Sequence, residues 1–420
     1  MAGAGLTAVD VSRLITGLRF ERPTGIERME LGYATRLDDR AGGVVVTPAG
    51  PRLVSAAARR AIAGAAAQHW REAASGGDTA AEAAAVFAFV DTGAKPARRT
   101  ARPGWPLRRL AGLAPGLLGG AWRTPERALP QGARYLHAGL FRLERPDRFD
   151  WLSRRRDVAA AFMIYDLLPI EHPDFFRAGE DALHRRRLIT AARHGRALLV
   201  PAGTVGAALR DFLEKSGTAP PPILTARLPT EDAFRPGAAP RPPGARPYFL
   251  CCGTIEPRKN HALLLAVWRR LAAELGDAAP RLVIAGRRGW RNEAVFAALD
   301  APGPLARLVL EAPGLTTAAL ALLMRGAEAV LSPSFAEGFG LPVAEALACG
   351  TPVIAADTPI YRELWGGRVR LVSPHDVDGW TAAIAGGRAA AEAAQLNPAA
   401  AHAMTWAGHI DRIEGLLAAL

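Results

Sequence analysis

Short apolar runs alternate with longer helical stretches through the second half of the chain. Residues Tyr248–Cys252, 282–285 and 327–331 are mostly apolar, and each run is followed by glycine or by a Ser-Pro pair. Runs of this length with such boundaries are typical of buried strands. Residues 260–275 and 342–349 between them have the composition and the stop signals of helices. The alternation predicts an α/β domain built on a parallel sheet.

The first half shows the same alternation less clearly. Strands are predicted at residues 6–14, 44–47, 85–90, 159–165 and 197–200, and helices at residues 26–37 and 205–215. Residues 218–246 contain eight prolines, which is the composition of a linker. A chain of 420 residues, half of them hydrophobic, is long enough for two domains.

We therefore predict a first domain at residues 1–235 and a second at residues 236–399. The first domain carries a basic insertion at about residues 92–125. A C-terminal helix at about residues 400–420 is expected to pack back on the first domain. No repeat interrupts this two-part organisation.

Composition restricts the kinds of site and the setting. The three cysteines lie in apolar contexts without CxxC or His/Cys ligand spacing, so we expect neither disulfides nor a metal. The N-terminus lacks a charged-then-apolar signal pattern, and no window offers 18 uncharged apolar residues. These features favour a cytoplasmic protein without a transmembrane helix.

The net charge of +12 is concentrated in one segment. Basic residues without any acid, interleaved with leucines and tryptophans, occupy residues 95–123: Lys95, Arg98, Arg99, Arg102, Arg108, Arg109 and Arg123, with Trp105 and Trp122. Arginine near an anionic leaflet and tryptophan at its interface favour a membrane-surface contact. A solvated basic insertion is the alternative. Nucleic acid is disfavoured because no recognition motif accompanies the charge.

The segment 332–352 combines two carboxylates with a glycine-rich turn and a helix start. Gly338 and Gly340 allow positive φ and close approach to a ligand, and Pro342 suits the first helical turn. A helix N-terminus behind a predicted strand binds anions. Glu337 and Glu345 could then face one cleft at the carboxyl end of the sheet.

Two further strings place helix starts behind predicted strands. In residues 253–260, Arg258 and Lys259 stand just before a helix whose expected N-cap is Asn260, where they could hold a phosphate. In residues 24–28, Thr24 and Glu27 have the form of a capping box. Gly25 would let a diphosphate approach this second helix N-terminus. An ordinary surface charge pair and an ordinary helix start are the alternatives.

The residue strings resemble those of retaining glycosyltransferases of family 4. Glu337-Gly-Phe-Gly-Leu-Pro with Glu345 is similar to that family's EX7E signature, and residues 253–260 are similar to its GTxEPRKN string. The resemblance is dense over residues 248–383 and patchier over residues 1–235. It implies the GT-B fold, in which two Rossmann-like domains with parallel sheets face a cleft.

The resemblance also implies roles for these residues. Glu345 would hold the ribose hydroxyls of a nucleotide sugar, and Glu337 would lie against the transferred sugar as a catalytic residue. The donor would be held by the two glycine-bearing strings: Gly253, Thr254, Arg258, Lys259, Gly338, Phe339, Gly340, Leu341 and Glu345. The loop with Thr24, Gly25 and Arg28 would reach the acceptor or the phosphates. No metal or cofactor is expected beyond the nucleotide-sugar co-substrate.

Two positions depart from the family's pattern. Tyr165 stands where related sequences often carry a histidine near the transferred sugar, and Pro201 stands where they usually show serine. Asp166, as a second catalytic candidate, and His172 remain candidates for the cleft. A catalytically silent glycan- or lipid-binding scaffold is therefore one alternative.

The favoured function is hexose transfer from a nucleotide-diphosphate sugar to a glycan or lipid-linked acceptor in cell-surface polysaccharide biosynthesis. GDP-mannose is preferred over a UDP-sugar because of similarity to bacterial mannosyltransferases with the RKN string. A sugar-nucleotide epimerase of the same architecture is the other alternative. The protein would be cytoplasmic, or peripheral on the inner face of the membrane.

Overall fold

The computed structural model describes residues 6–20, 22–75, 79–96, 123–238, 246–387 and 404–419. The basic segment's residues 97–122, on which the membrane prediction rests, lie outside these ranges. The same is true of residues 400–403 of the predicted C-terminal helix.

Thirteen strands in the described ranges form two sheets. The strands are β1 Ala8–Asp10, β2 Gly42–Thr47, β3 Gly50–Val54, β4 Arg134–His137, β5 Ala159–Met163, β6 Ala197–Val200, β7 Ile223–Thr225, β8 Tyr248–Cys252, β9 Arg281–Ala285, β10 Val309–Glu311, β11 Val330–Ser332, β12 Val353–Ala356 and β13 Arg370–Val372.

Helices connect most of the strands. They are α1 Ser12–Gly17, α2 Gly25–Arg36, α3 Ala56–Ser75, α4 Thr79–Thr92, α5 Pro125–Ala128, α6 Asp150–Arg154, α7 Leu168–Glu171, α8 Glu180–His194, α9 Gly203–Lys215, α10 His261–Leu275, α11 Glu293–Asp300, α12 Pro304–Leu308, α13 Thr317–Gly326, α14 Leu341–Ala348, α15 Pro359–Trp365, α16 Val377–Ala385 and α17 Trp406–Ala418.

The first sheet has the order β3-β2-β1-β4-β5-β6-β7, and only β3 runs antiparallel to its neighbour. The second sheet has the order β10-β9-β8-β11-β12-β13 and is parallel throughout. Strands such as β6 and β8 are buried at every residue, as expected for sheets covered by helices on both faces. Two doubly wound sheets form the GT-B fold, and the predicted fold class is confirmed.

Several predicted elements were wrong in extent or in kind. The run at residues 6–14 is only a three-residue strand, because Val11 ends it and helix α1 begins at Ser12. Residues 85–90 belong to helix α4, not to a strand. Ala83, Val86, Phe89 and Val90 are its buried positions and recur at helical spacing. The predicted linker contains β7, the last strand of the first sheet.

Two helices join distant parts of the chain. The Glu82 carboxylate of α4 accepts a hydrogen bond from the Thr316 N–H at the start of α13, at 2.9 Å. Helix α4 therefore packs on a helix of the second half, although it precedes most strands of the first sheet. Helix α17 returns to the first sheet, where the Leu6 N–H donates to Glu414 at 3.1 Å.

Candidate functional site

The second sheet reverses its winding direction between β8 and β11. Open α/β sheets bind ligands in the crevice beyond the strand ends at such a point. Gly253 follows β8 with a φ of +128°, and the position that a Cβ would take there lies 3.2 Å from Lys259 Cε. The turn 333–340 follows β11. The two glycine-bearing strings thus meet at one strand edge.

Glu337 lies in a pair of buried ion contacts at this edge. Lys259 Nζ lies 2.5 Å from one carboxylate oxygen and Arg258 Nη1 2.8 Å from the other. Burial tends to raise the pKa of Glu337, but Arg258 and Lys259 outweigh it and hold the pKa at about 2. Glu337 is therefore an ionised carboxylate at neutral pH.

The cations are held in place by further contacts. Arg258 also pairs with Glu256 at 2.8 Å and donates to the Ala336 carbonyl at 2.8 Å. Lys259 is one of only three lysines in a chain with 52 basic side chains. Its side chain is 12% exposed, so an ammonium is positioned in a closed site. This arrangement can bind the charge of a phosphate.

Glu345 lies one turn into α14 and pairs across the two halves. Arg28 Nη2, from the first turn of α2, is 2.5 Å from Glu345 Oε1. The carboxylate side chain is 2% exposed. Burial raises the pKa of Glu345, and Arg28 opposes this in part. The pKa of Glu337 is therefore lowered, whereas the pKa of Glu345 is raised.

Two helix N-termini converge beside these ion pairs. Helix α14 begins after Gly340, whose φ is +82° and whose missing Cβ would lie 2.6 Å from the Tyr361 ring. Helix α2 begins at Gly25, where a Cβ would lie 3.2 Å from Leu341 Cδ1. The positive ends of the two helix dipoles favour an anion between them.

The predicted capping box is confirmed. The Glu27 carboxylate accepts from the Thr24 N–H at 2.6 Å and from its hydroxyl. Asn260 lies at the N-cap position of α10, but its side chain caps no helix N–H. It donates instead to the carbonyls of Pro333 and Pro374, at 3.2 and 2.9 Å. Asn260 thus ties the loop after β11 to the helix start.

Asp166 forms part of the opposite lip of the crevice. Gly338 packs against this lip, since a Cβ at Gly338 would lie 2.3 Å from the Tyr165 carbonyl oxygen and 2.7 Å from Asp166 Cβ. The Asp166 carboxylate accepts from the Leu168 N–H at 3.1 Å. Tyr165 points away: its buried hydroxyl donates to the Ala138 carbonyl at 2.9 Å. The Tyr165 side chain therefore packs inside the first half and does not face the crevice.

Three predicted residues lie at the edge of the site or outside it. His172 is exposed, with its ring 5.7 Å from that of Phe175. Thr254 packs against Gly289. The Phe339 ring is 4% exposed and packs edge-on against Trp365, so only its backbone can reach a ligand. The predicted residues that the structure brings together are Gly253, Arg258, Lys259, Glu337, Gly338, Gly340, Leu341 and Glu345, with Thr24, Gly25, Arg28 and Asp166 opposite.

A buried polar network lies under α2 and was not predicted. Glu30 accepts from the backbone N–H groups of Arg13 and Leu14, at 3.0 and 3.3 Å. Arg13 Nε donates to Glu27 at 3.0 Å. Asp10 and His137, at the ends of β1 and β4, lie 3.4 Å apart and fully buried. Asp10 lies at the end of a strand, and a polar residue in that position could have indicated the network.

A second contact between the halves was also missed. The Glu363 carboxylate of α15 accepts from the N–H groups of Gly203 and Thr204 at the start of α9, both at 2.7 Å. It also accepts from the Thr204 hydroxyl. This carboxylate caps a helix of the other half and holds the two halves together away from the Arg28–Glu345 pair.

Within the described ranges, no group of three His, Cys, Asp or Glu side chains is placed to hold a metal ion. None of the helices described has the length and hydropathy that a bilayer crossing requires.

Comparisons with known proteins identify a family and several relatives for part of the chain. Residues 238–386 match the family described as "Glycosyl transferases group 1", so the second half is a domain of that family. The O-antigen chain mannosyltransferase B of Escherichia coli is 34% identical over 137 residues, 33% of this chain and 35% of that enzyme. The chain thus spans about a third of that relative's length.

A second relative and a solved structure extend the comparison. The D-inositol 3-phosphate glycosyltransferase of Mycolicibacterium paratuberculosis is 37% identical over 197 residues, 42% of each chain. The crystal structure of Anabaena Alr3699/HepE in complex with UDP-glucose aligns over 98% of this chain and 99% of its own, with a TM-score of 0.62 and 15% identity. This similarity extends over both sheets and supports the fold.

Proposed function

We propose that the protein is a retaining glycosyltransferase that moves a hexose from a nucleoside-diphosphate sugar to a glycan or lipid-linked acceptor. The observation that carries this proposal is the contact of Lys259 and Arg258 with Glu337 beside the start of α14. It puts cations for a diphosphate next to an ionised acceptor of sugar hydroxyl groups. The group 1 domain and the mannosyltransferase relative support the same activity.

The leaving group would be stabilised by fixed charges. Breaking the glycosidic bond to a diphosphate places negative charge on the phosphate oxygens. Lys259, Arg258 and the N–H groups at the start of α14 would meet that charge in a site where water is scarce, so they need little reorganisation. They would offset the charge of the leaving group without a metal ion.

Glu337 is suited to orient the sugar and not to protonate it. A carboxyl group with a pKa of about 2 is ionised at neutral pH and cannot act as a general acid. The Glu337–Glu345 pair therefore does not act as the acid and base of a glycosidase. Glu345 would bind the ribose hydroxyls, and Asp166 on the opposite lip would face the reacting sugar.

GDP-mannose is the preferred donor because the E. coli relative is a mannosyltransferase. The acceptor would bind at the first half, beyond the ends of β1, β4 and β5. We place the enzyme in the cytoplasm, where it would meet nucleotide sugars, with the basic segment at residues 95–123 against the inner membrane leaflet. Vesicle sedimentation with neutral and anionic lipids tests that last point, and equal binding to both contradicts it.

A panel of sugar nucleotides tests the activity. The purified protein is incubated with GDP-mannose, GDP-glucose, UDP-glucose and UDP-N-acetylglucosamine, and products are followed by proton NMR. We expect one donor to be hydrolysed slowly, with the released sugar first appearing as the α-anomer of an α-linked donor. Release of the β-anomer contradicts retention. An isomerised sugar nucleotide indicates an epimerase, and no reaction or binding indicates a scaffold.

A further inference from the structure

The contact between Arg28 and Glu345 conflicts with the ribose-binding role proposed for Glu345. A ribose diol donates two hydrogen bonds and is best met by both oxygens of a carboxylate. Arg28 already occupies Oε1 at 2.5 Å, and the Glu345 side chain is 2% exposed. Arg28 therefore competes with the ribose for that oxygen. A diol that takes both oxygens of Glu345 would displace Arg28.

Arg28 has donors available for a new partner. Its Nε is buried and donates no hydrogen bond in the part of the chain that the structure describes. Only Nη2 has a hydrogen-bond acceptor there, which is Glu345. A guanidinium that is 21% exposed and has a buried, unused Nε–H is expected to pair with an anion when one enters.

The anion would arrive within reach of Arg28. Gly25 of the same helix turn packs on Leu341, the first residue of α14, so the N-termini of α2 and α14 meet there. Arg28 and Glu345 also lie within electrostatic range of Cys252, as does Lys259. A diphosphate at the two helix starts would therefore be near both Arg28 and Lys259.

The other two cations of the site are already engaged. Arg258 and Lys259 share Glu337, and Arg258 also pairs with Glu256. Once the ribose has taken Glu345, Arg28 is the cation that loses its carboxylate. Its charge is then less well compensated, although Glu231 still acts on it, at the point where a doubly negative group binds.

The backbone of α2 is fixed, so the exchange involves the side chain alone. Glu27 and Glu30 anchor the helix through Arg13 and Leu14. Gly32 lies directly against the Trp406 ring of α17. These contacts hold the first turn in place while the side chain of Arg28 changes partner.

We propose that Arg28 is a positioning residue that exchanges partners when the donor binds. It pairs with Glu345 in the free protein, and it contacts the diphosphate once the ribose hydroxyls take Glu345. Recognition of the two ends of the nucleotide is thereby coupled: a nucleoside alone breaks the ion pair without replacing it, whereas a nucleoside diphosphate restores it. This inference rests on the proposed function.

Calorimetric titration with guanosine, GDP, uridine and UDP tests the exchange. The quantity of interest is the ratio of nucleoside Kd to nucleoside-diphosphate Kd. In Arg28→Ala we expect GDP or UDP to bind about tenfold or more weakly, because a charge-assisted hydrogen bond is lost. The nucleoside should bind equally well or better, so the ratio falls. Arg28→Lys should restore part of it.

Two control variants separate this role from a structural one. Arg36→Gln removes another arginine of α2 that pairs with an acid, Glu231. Glu363→Gln removes the other contact between the halves. Both should leave the ratio unchanged. Circular dichroism checks that each variant is folded.

Three outcomes would overturn the exchange. If Arg28→Ala weakens nucleoside and nucleoside diphosphate equally, Arg28 only orders the site. If it strengthens both equally, Arg28 only blocks Glu345. If Glu363→Gln changes the ratio as much, the effect comes from contact between the halves. Failure of the wild-type protein to bind any nucleoside diphosphate would instead contradict the proposed function itself.

Discussion

The two halves of the molecule present similar sheet edges to the crevice but build them differently. In the second half, the chemistry lies in two short strings that directly follow neighbouring strands β8 and β11. In the first half, the polar groups come from distant positions, such as Asp10, Arg13, Arg28 and His137, and meet only through folding. Contiguous sites can be recognised from sequence, whereas assembled sites need the tertiary structure.

The strongest test of the second half is Lys259→Ala. We expect the rate of donor hydrolysis to fall about 10²–10³-fold, because a fixed charge facing the leaving group is removed. Lys215→Ala is the matched control, since Lys215 is 74% exposed and pairs with Asp211 of its own helix. Hydrolysis by the Lys259 variant within twofold of wild type would assign the lysine a purely structural role.

The acid dependence of Glu337 sharpens the comparison between the two carboxylates. The pKa of Glu337 is lowered from 4.5 to about 2, so its ionised form stabilises the folded state. Such a shift corresponds to on the order of 3 kcal/mol. That stability is present above about pH 5 and is lost as the pH falls from about 4.5 towards 2.

Urea unfolding of wild type and Glu337→Gln across this pH range measures the effect. The difference in free energy of unfolding should be large at pH 6 and should shrink towards pH 3. The pKa of Glu345 is raised by burial, so the sign is opposite. Folding favours the protonated form of Glu345, so the contribution of this carboxyl group to stability falls as the pH rises, and Glu345→Gln should show no comparable loss on acidification. Parallel pH profiles for the two variants would contradict this distinction.

Glu345→Ala tests the part of the site where the two halves meet through the Arg28–Glu345 pair. Loss of a hydrogen bond to a charged group in a buried site should weaken nucleoside-diphosphate binding by about 1.5–3 kcal/mol. Calorimetry measures it, with circular dichroism as the check on folding. Unchanged affinity in a folded variant would remove Glu345 from the donor site.

The first half offers a smaller test that does not touch the donor. A Cβ at Gly32 would lie 1.8 Å from the Trp406 ring, so Gly32→Ala should destabilise the protein by about 1–3 kcal/mol through overpacking. Gly64 is exposed within α3 and has nothing within 4 Å of such a Cβ. Gly64→Ala should stabilise the protein by about 0.5–1 kcal/mol. Equal thermal midpoints for the two variants would contradict the packing of α17 on α2.

Sequence reasoning was most accurate where local signals and burial agree. The boundaries of β6 and β8 were correct to the residue, because both are fully buried apolar runs ended by proline or glycine. The strand predicted at residues 85–90 was wrong because an alanine-rich apolar segment fits a buried helix as well as a strand. Its packing against α13 could not be inferred from spacing.

The ion partners within the site were the least predictable feature. Both glutamates were identified from their string, but nothing local indicated that Arg28, 317 positions away, pairs with Glu345. Likewise, Tyr165 could be aligned with a family position, yet its hydroxyl turns inward to Ala138. Side-chain direction at a strand end depends on neighbouring strands, which one sequence does not specify.

The central claim is that Lys259 faces the diphosphate of a bound nucleotide sugar. The chain has three lysines, so it is well suited to amine labelling with an N-hydroxysuccinimide ester. Mass spectrometry measures the extent of labelling at each lysine. With a saturating sugar nucleotide, labelling of Lys259 should fall strongly while that of exposed Lys215 stays constant as the internal reference. Undiminished labelling of Lys259, with the nucleotide shown by calorimetry to be bound, would contradict the account.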